Sequence, residues 1–438
     1  MIPMTSADLP RIILAAAASL LLPLGPASAE VAWPQFRGPQ GDGTVPGSPD
    51  LPTQWSETEN VAWKTPLDGR AWSTPAIGDN QVWMTNANPE GTQLSAVCLD
   101  FRNGDILHQT VLFKPTDPEP LGNPVNSYGS PSPVLEPGRV YLHFGSYGTA
   151  CLDTRSADIL WERSDLPCRH LRGPGSSPVP YKGTLILTMD GVDVQYLVAL
   201  DKQSGETVWR TERTTDFDDL DPEGKPKAEG DFRKAYTTPL LVAVPNTDRT
   251  WIVSPGAKAA YAYDADTGEE IWKVTYGGFS NASAPVATDT HLFLNTGFGN
   301  ADILAVRIDP AASGDITGSH IDWKTDDRTP LKPSPVITGD GILVTVNDGG
   351  IATAYDAATG EQHWSERLGG KFSASPVLVD QTAYVPNEMG DTYVFSATKD
   401  FDIIATNSLD SGSFASPAVA GNSLIIRTTS AVYRIQKK

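Results

Sequence analysis

The chain has 438 residues, of which 39% are hydrophobic and 20% are charged, and its formal net charge is −20. So strong an acidic excess argues against a nucleic-acid partner, because the phosphate backbone attracts basic surfaces. The 39 Gly and 36 Pro residues are spread along the chain rather than concentrated in one segment. This composition predicts a soluble, turn-rich domain built from many short strands.

The first feature in chain order is an apolar run that ends at residue 24, preceded by Arg11 and followed by Ala27-Ser28-Ala29. The run is shorter than the roughly 20 residues that a membrane-spanning helix needs. Small residues of this kind mark a signal-peptide cleavage site. We therefore predict a signal peptide over residues 1–29, no transmembrane helix after its removal, and export to the periplasm or the cell envelope.

The next elements are a lead-in segment, residues 30–58, and a strand that contains Trp63. From residue 73 onward a phrase recurs in which small, mostly hydroxyl-bearing residues precede a proline and an apolar pair. Its eight prolines are spaced 41 to 61 residues apart, which is the size of one four-stranded propeller blade with insertions. These prolines are Pro75, Pro133, Pro178, Pro239, Pro285, Pro335, Pro376 and Pro417.

A second phrase, Asp followed by a Gly turn and then Trp, keeps step with the first, as in Asp264 to Trp272. We expect the Gly to adopt the positive φ of a tight turn, the Asp to accept hydrogen bonds from that turn, and the Trp to fill the gap between blades. This role is structural, not catalytic. The residues assigned to it are Trp63, Asp153, Trp161, Asp201, Trp209, Asp264, Trp272, Trp323, Asp356 and Trp364.

The two ends of the repeat region complement each other. The last unit, after Pro417, has text for only three strands, whereas the Trp63 strand stands alone before the first unit. Pairing the N-terminal strand with the last unit closes the ring and removes an exposed sheet edge. We predict an all-β fold over residues 59–438, an eight-bladed β-propeller of four-stranded antiparallel blades, and we expect a monomer.

These phrases resemble the PQQ-like repeat, the propeller unit shared by quinoprotein alcohol dehydrogenases, which use pyrroloquinoline quinone (PQQ), and by the BamB lipoprotein of outer-membrane assembly. The stretch from Tyr263 to Trp272 is similar to the tryptophan-docking phrase of that repeat, and residues 33–39, WPQFRGP, look like the start of propeller proteins of planctomycete-type bacteria. WD40 propellers fit less well, because their Gly-His and Trp-Asp pairs do not recur. The resemblance implies the fold and leaves the function open.

The same resemblance raises the question of enzymatic activity. In quinoprotein dehydrogenases it implies a quinone beside a calcium ion, held by acidic residues near the axis, and in the alcohol dehydrogenases a pair of adjacent cysteines. This chain has three separated cysteines and no Cys-x-x-Cys-His haem motif. We expect no catalytic residue, no metal and no cofactor. The alternative, an oxidoreductase with PQQ and calcium, would need Asp231 and Asp410 to converge over the axis.

The stretches that enter the eight inner strands, here called the rim segments, lie on one face of a propeller and surround its channel. The nine residues before each repeat proline contain nine Lys or Arg and five acidic residues, in an otherwise acidic chain. With interleaved aromatic and amide side chains, they predict a site for an anionic or sugar-like ligand. The candidates are Arg70, Trp72, Asn126, Tyr128, Arg169, His170, Arg172, Arg233, Lys234, Tyr236, Asn281, Lys332, Lys371, Phe372 and Phe414.

Two insertions, residues 113–127 and 211–235, fall on the same face and are candidates for contact with an envelope protein. Our favoured hypothesis is an exported, non-enzymatic scaffold, and a carbohydrate-active or carbohydrate-binding propeller is a further alternative. Cys98 and Cys151 stand in strand-like text and are expected to be buried thiols. For Cys168 we expect a simple surface thiol; the alternative is that its basic neighbours Arg163, Arg169, His170 and Arg172 lower its pKa.

Overall fold

The structure is a computed structural model that describes Met1 and residues 32–438. The predicted signal peptide, residues 1–29, lies outside the described residues except for Met1. In the described part of the chain the strands form eight sheets, each with four antiparallel strands in blade order. The predicted all-β, eight-bladed propeller is confirmed. Within that same part, no helix is long and apolar enough to cross a membrane.

We number the strands in chain order and the blades by their inner strands. Blade 1 consists of β2 Ala76–Gly78, β3 Gln81–Ala87, β4 Leu94–Asp100 and β5 Ile106–Phe113, and blade 2 of β6 Val134–Glu136, β7 Arg139–His143, β8 Thr149–Asp153 and β9 Ile159–Arg163. Blade 3 consists of β10 Val179–Tyr181, β11 Thr184–Asp190, β12 Gln195–Asp201 and β13 Thr207–Glu212, and blade 4 of β14 Leu240–Ala243, β15 Thr250–Pro255, β16 Ala259–Asp264 and β17 Glu270–Thr275. A short 3₁₀ segment, Lys227–Arg233, lies between blades 3 and 4.

Blade 5 consists of β18 Val286–Ala287, β19 His291–Asn295, β20 Ile303–Arg307 and β22 Ile321–Thr325, and blade 6 of β23 Val336–Ile337, β24 Ile342–Val346, β25 Ile351–Asp356 and β26 Gln362–Arg367. Blade 7 consists of β27 Val377–Val379, β28 Thr382–Pro386, β29 Asp391–Ser396 and β30 Ile403–Ser408, and blade 8 of β31 Ala418–Ala420, β32 Ser423–Arg427, β33 Ala431–Gln436 and β1 Val61–Pro66. The extra strand β21, Gly314–Asp315, pairs in parallel with β17 of blade 4. The N-terminal β1 pairs antiparallel with β33, which confirms the predicted closure.

Hydroxyl groups connect neighbouring blades near the axis. Each repeat proline immediately precedes an inner strand. At six of the eight blade junctions, the hydroxyl residue before the proline accepts a hydrogen bond from the equivalent amide of the preceding blade. Six such bonds, each 2.9 Å long, are described: Thr74 N to Ser132, Ser132 N to Ser177, Ser177 N to Thr238, Ala284 N to Ser334, Ser334 N to Ser375, and Ser375 N to Ser416. This hydroxyl ring holds the rim segments in one layer around the channel.

The recurring tryptophans connect the blades at the periphery. In blade 5 the indole of Trp323 donates a 3.0 Å hydrogen bond to the carbonyl of Ala357, in the turn of blade 6. That turn is shaped by Gly360, at φ +75°, and by Asp356, which accepts hydrogen bonds from the amides of Ala358 and Thr359. An indole hydrogen bond to a turn of the neighbouring blade also joins Trp63 to Phe101, Trp161 to Lys202 and Trp364 to Thr398.

Two blades lack this tryptophan, and the structure explains both. In blade 7 the equivalent residue is Ala405, paired with Val394. Its neighbour, blade 8, receives its outer strand from the N-terminus and therefore has no turn on which an indole could dock. In blade 1 the position is taken by His108. The neighbouring turn carries Ala157, at φ +59°, where other blades have Gly, and its methyl group would crowd a docked indole.

The lead-in segment enters the propeller rather than lying beside it. Trp33 forms a β-bridge with Ile77 in blade 1, and the amide of Val45 donates a 2.9 Å hydrogen bond to Leu378 in blade 7. Trp33 is fully buried. We call residues 33–45 the plug, since they pass from one side of the ring to the other and cross the channel on the face opposite the rim segments.

Arg37 is the central side chain of the plug. It is 1% exposed and donates hydrogen bonds to the carbonyls of Asp42 and of Pro335, the repeat proline of blade 6. Burial lowers the pKa of its guanidinium to about 10, an effect that Asp42 opposes. The neighbouring Phe36 faces the channel. The plug is therefore fixed by buried contacts and closes one end of the channel.

The docking turns can be tested with two glycines of blade 6. A Cβ on Gly360 would lie 2.7 Å from Trp323, whereas one on Gly341, at φ +82°, would meet nothing within 4 Å. We expect Gly341→Ala to lower the free energy of unfolding by about 1 kcal/mol, the cost of the positive φ. Gly360→Ala should cost about 3 kcal/mol, because it also displaces the indole. Urea unfolding of both variants measures the difference; equal losses would contradict the docking.

Candidate functional site

The channel contains a cavity of about 640 Å³ between the plug and the rim segments. Phe36 of the plug lies at its closed end. Hydroxyl residues of the inner ring, Ser132, Ser177, Ser375 and Ser416, line its lower wall. Because the plug closes the other end, the cavity opens on the rim face. We call this cavity the cup, and its volume is in the range of sites for small organic ligands.

Two aromatic clusters form opposite walls of the cup. Trp72, which precedes blade 1, stacks on Phe414, which precedes blade 8, with ring centroids 4.7 Å apart and planes 17° apart. On the other side Phe279 is perpendicular to Phe232 and to Phe298, with centroid distances of 4.9 and 5.6 Å. All five rings line the cavity. Rings in these arrangements provide apolar surfaces for a ligand that enters between them.

A basic pair lies on the side of blades 3 and 4. The carboxylate of Asp231 contacts the ammonium of Lys234 and lies 3.5 Å from the guanidinium of Arg172. The side chain of Lys234 is 1% exposed. Burial and the nearby Arg172 lower the pKa of Lys234 to about 8. Two cations thus share one carboxylate.

The opposite arrangement is found on the side of blades 6 and 7. The ammonium of Lys332 lies 3.3 Å from Asp348 and 3.2 Å from Glu388. Glu388 also accepts a 2.6 Å hydrogen bond from the hydroxyl of Ser373, and Asp348 accepts one from the amide of Leu331. Here two carboxylates share one cation.

The predicted rim residues fall into two groups. Seven of the fifteen candidates line the cup, and they come from rim segments that enter six different blades. These seven are Trp72, Asn126, Arg172, Lys234, Tyr236, Lys332 and Phe414. The rim segments therefore do meet around one cavity.

The other eight candidates lie outside the lining of the cup. Several of them hold the rim together: Arg70 donates to the carbonyl of Asn126, Tyr128 donates to the carbonyl of Glu119, and Asn281 donates to the carbonyl of Asn295. Phe372 is fully buried and Lys371 is exposed. The remaining three are His170, Arg169 and Arg233.

Sequence reasoning missed several residues of the cup. Phe36 comes from the plug, which shows no repeat pattern. Phe298 and Asp348 come from the hairpins between the second and third strands of blades 5 and 6. These hairpins lie on the same face as the rim segments. Their Gly-rich sequences, Gly297-Phe298-Gly299 and Asp348-Gly349, were the pattern that would have indicated them as part of the cup.

The two insertions are tied to the rim by ion pairs. Arg169 lies 3.0 Å from Glu119 of the first insertion, and Arg172 lies 3.5 Å from Asp231 of the second. Arg233 pairs with Asp219 within the second insertion. Glu119 also accepts a 3.1 Å hydrogen bond from the amide of Leu171. The segments entering blades 2, 3 and 4 thus form one continuous wall beside the cup.

The expectation for Cys168 was wrong. This thiol is 7% exposed, and its pKa is raised well above the usual value by burial and by Asp193. Gly191 of blade 3 packs closely against its sulfur. The basic neighbours do not lower the pKa, because Arg169 pairs with Glu119 instead. Cys98 and Cys151 are buried free thiols, as predicted.

Fold and site together define a class: an eight-bladed propeller with a plugged channel and a ligand-sized cup. A family model described as outer membrane protein assembly factor BamB matches residues 44–167, 193–328 and 302–431. The chain belongs to this family of PQQ-like repeat propellers. Among curated proteins, the tetrathionate hydrolase of Acidithiobacillus ferrooxidans is 24% identical over 190 residues, which cover 38% of this chain and 36% of the hydrolase. The match therefore spans about a third of that enzyme.

Solved structures show the same fold in proteins of different function. BamB from Moraxella catarrhalis, at 16% identity, superposes with a TM-score of 0.59 over 86% of this chain and 97% of its own. A europium-containing methanol dehydrogenase, at 11% identity, gives 0.63 over 92% and 90%. The quinohemoprotein alcohol dehydrogenase of Comamonas testosteroni, at 12% identity, gives 0.63 over 93% and 81%. At these identities the similarity establishes the fold alone.

The cup does not fit the calcium ion that accompanies PQQ in the resemblance described above. Calcium needs several free oxygen ligands, but Asp231 and Asp348 are already paired with Lys and Arg side chains. Asp410, the second acid considered, is 64% exposed and pairs with Lys64. Among the described residues, no three or more His, Cys, Asp or Glu side chains are grouped to hold a metal.

Two buried histidines, His143 in blade 2 and His170 in the rim segment before blade 3, give the fold a defined pH dependence. Burial lowers the pKa of His143 to about 3 and of His170 to about 4. An unfolded chain takes up these protons near pH 6.5, so stability falls as the pH drops below that value. From pH 7 to pH 5 the loss should be about 2 kcal/mol per histidine.

His170 accepts a 3.1 Å hydrogen bond from the amide of Ser146, and a glutamine can keep this acceptor. We expect His170→Gln to reduce the loss of unfolding free energy between pH 7 and pH 5 by about 2 kcal/mol. Chemical denaturation of both proteins at the two pH values measures it. The same pH slope in both would contradict a buried neutral His170.

Proposed function

We propose that this chain is an exported scaffold of the cell envelope, which binds a partner protein on its rim face and catalyses no reaction itself. The observation that carries the proposal is a set of exposed apolar side chains around the mouth of the cup. Their exposed fractions are 40% for Val125, 59% for Leu220, 37% for Phe232, 56% for Phe298 and 71% for Met389. Apolar side chains exposed together in this way are typical of interaction sites.

The positions of these side chains support a single contact surface. Val125 belongs to the first insertion, Leu220 to the second, and Phe232 to the 3₁₀ segment. Phe298 and Met389 lie at the tips of hairpins in blades 5 and 7. They therefore surround the cup instead of clustering on one blade. The rim segments also carry more basic than acidic residues, so a partner with apolar side chains flanked by carboxylates would fit this face.

Family membership supports the same reading. The family is described as an outer-membrane assembly factor, and the Moraxella BamB structure matches almost its whole length to this chain. An assembly factor acts by holding other proteins, a role that needs an exposed surface but no catalytic group. We carry over this general role and leave the identity of the partner to experiment.

An oxidoreductase is the second candidate. It is favoured by the dehydrogenases, whose structures superpose over 92% and 93% of this chain, and by the stacked wall of Trp72 and Phe414, which would suit a flat ring. The pairing of Asp231 and Asp348 with cations weighs against it. The same pairing weighs against a carbohydrate-active site, since glycosidases act with two available carboxyl groups.

The scaffold proposal is tested by photo-cross-linking in the intact envelope, with a photoreactive amino acid at position 298 or 389. We expect the same partner to be captured from both positions. The double variant Phe298→Asp/Met389→Asp should lower co-purification of that partner at least about tenfold, because charges at the centre of an apolar contact are poorly tolerated.

The control is Leu160, which is 45% exposed on the outer strand of blade 2, away from the rim. A photoreactive residue at position 160 should not capture the partner, and Leu160→Asp should not affect co-purification. Capture from position 160 to the same extent, or an unchanged yield with the double variant, would refute the rim face as the contact surface.

A further inference from the structure

The charges in the cup are distributed unevenly around the ring. Arg172 precedes blade 3 and Lys234 precedes blade 4, and both contact the single carboxylate of Asp231. One positive charge on this side therefore has no carboxylate of its own in the cluster. Because Lys234 is buried, its charge interacts more strongly with a ligand than an exposed lysine would.

The other half of the ring has the opposite excess. Lys332 precedes blade 6 and is shared by Asp348 of blade 6 and Glu388 of blade 7. Glu388 does not line the cup, but it neutralises Lys332, so the carboxylate of Asp348, which does line the cup, is left with a net negative charge. In a ring of eight blades, blade 2 stands opposite blade 6, so Asp348 of blade 6 faces Arg172, which lies between blades 2 and 3, across the cup.

The aromatic clusters occupy the two remaining sides. Trp72 and Phe414 stand where blades 8 and 1 meet, and Phe279 and Phe298 stand at blade 5, on the opposite side of the ring. The line that joins the aromatic walls therefore crosses the line that joins the charged clusters. A matching ligand has a positive end, a negative end and an apolar group between them.

From this geometry we propose that the cup binds a short zwitterionic peptide with an aromatic or other large apolar side chain. Its terminal carboxylate pairs with Arg172 and Lys234, and its terminal ammonium pairs with Asp348. The central side chain lies between the aromatic walls. Three extended residues span about 10 Å, and the cup, at about 640 Å³, has room for a molecule of that size.

A ligand with a single charge would pair with only one of the two charged clusters of the cup. A simple anion would pair with the basic cluster and leave the excess carboxylate facing an apolar group, and a simple cation would do the reverse. The inference extends the scaffold proposal, because the cup opens in the middle of the proposed contact face. It does not depend on which protein binds there.

Isothermal titration of the purified mature chain with three peptides tests the inference. The first is Ala-Phe-Ala with both ends free, and the others are its N-acetyl form and its C-terminal amide. We expect saturable one-to-one binding of the free peptide and at least about tenfold weaker binding when either end is capped, since each cap removes one ion pair.

Two conservative variants identify the ends. Arg172→Gln should weaken the free peptide about tenfold and leave the affinity of the C-terminal amide unchanged, because that peptide has no carboxylate to lose. Asp348→Asn should weaken the free peptide to the same extent and leave the affinity of the N-acetyl form unchanged, because that peptide has no ammonium to lose. The control is Lys182→Gln, an exposed lysine paired with Asp266 in the turns of the opposite face. It should change nothing.

Equal affinity for free and capped peptides, or no saturable heat at millimolar peptide, would overturn the inference. The cross-linking experiment distinguishes this failure from failure of the scaffold proposal. If position 298 still captures a partner while the peptide does not bind, only the assignment of the cup is wrong.

Discussion

The hydrogen bond from one blade to the hydroxyl before the next repeat proline is the contact on which the rest of the ring depends. It joins inner strands that are only two to four residues long, and an unpaired buried amide would cost about 1–3 kcal/mol. The ring of hydroxyl groups is interrupted at Ala284, which has no hydroxyl. At the same junction of blades 4 and 5, but at the outer edge, β21 from the connection between β20 and β22 pairs with β17 of blade 4. At the closing seam Arg427 of blade 8 donates to Ser73 and Thr85 of blade 1.

The tryptophans perform the same task at the periphery, and their absences follow from the topology. The tryptophan packs on a turn of the next blade. In blade 7, Ala405 stands in the place of the tryptophan, because the next blade, the closing blade 8, has no such turn. With inner and outer contacts fixed, the rim segments have little freedom. The cup is consequently a rigid site, whose charged and aromatic walls are set by the architecture of the ring.

The repeat prolines and the unpaired Trp63 strand were sufficient to predict the blades and their closure, because both depend on local pattern. The presence of rim residues in the channel followed from the same topology. The plug could not be predicted, since residues 33–45 have no repeat and are held by contacts distant in sequence, such as Arg37 with Pro335. The sharing of Asp231 by two cations, and the burial of Cys168, depend on side-chain packing between separate segments, which composition and spacing do not reveal.

The central claim is that the carboxylates of the cup, Asp231 and Asp348, each already contact a basic side chain, so that the channel of this PQQ-like propeller serves binding instead of calcium-dependent quinone chemistry. The most direct measurement is a calorimetric titration of the mature chain with PQQ in the presence of calcium and in the presence of a chelator. We predict that calcium changes neither the affinity for PQQ nor the melting temperature. A calcium-dependent, one-to-one stabilisation would contradict the account, because only a ligand that binds the folded state raises its stability.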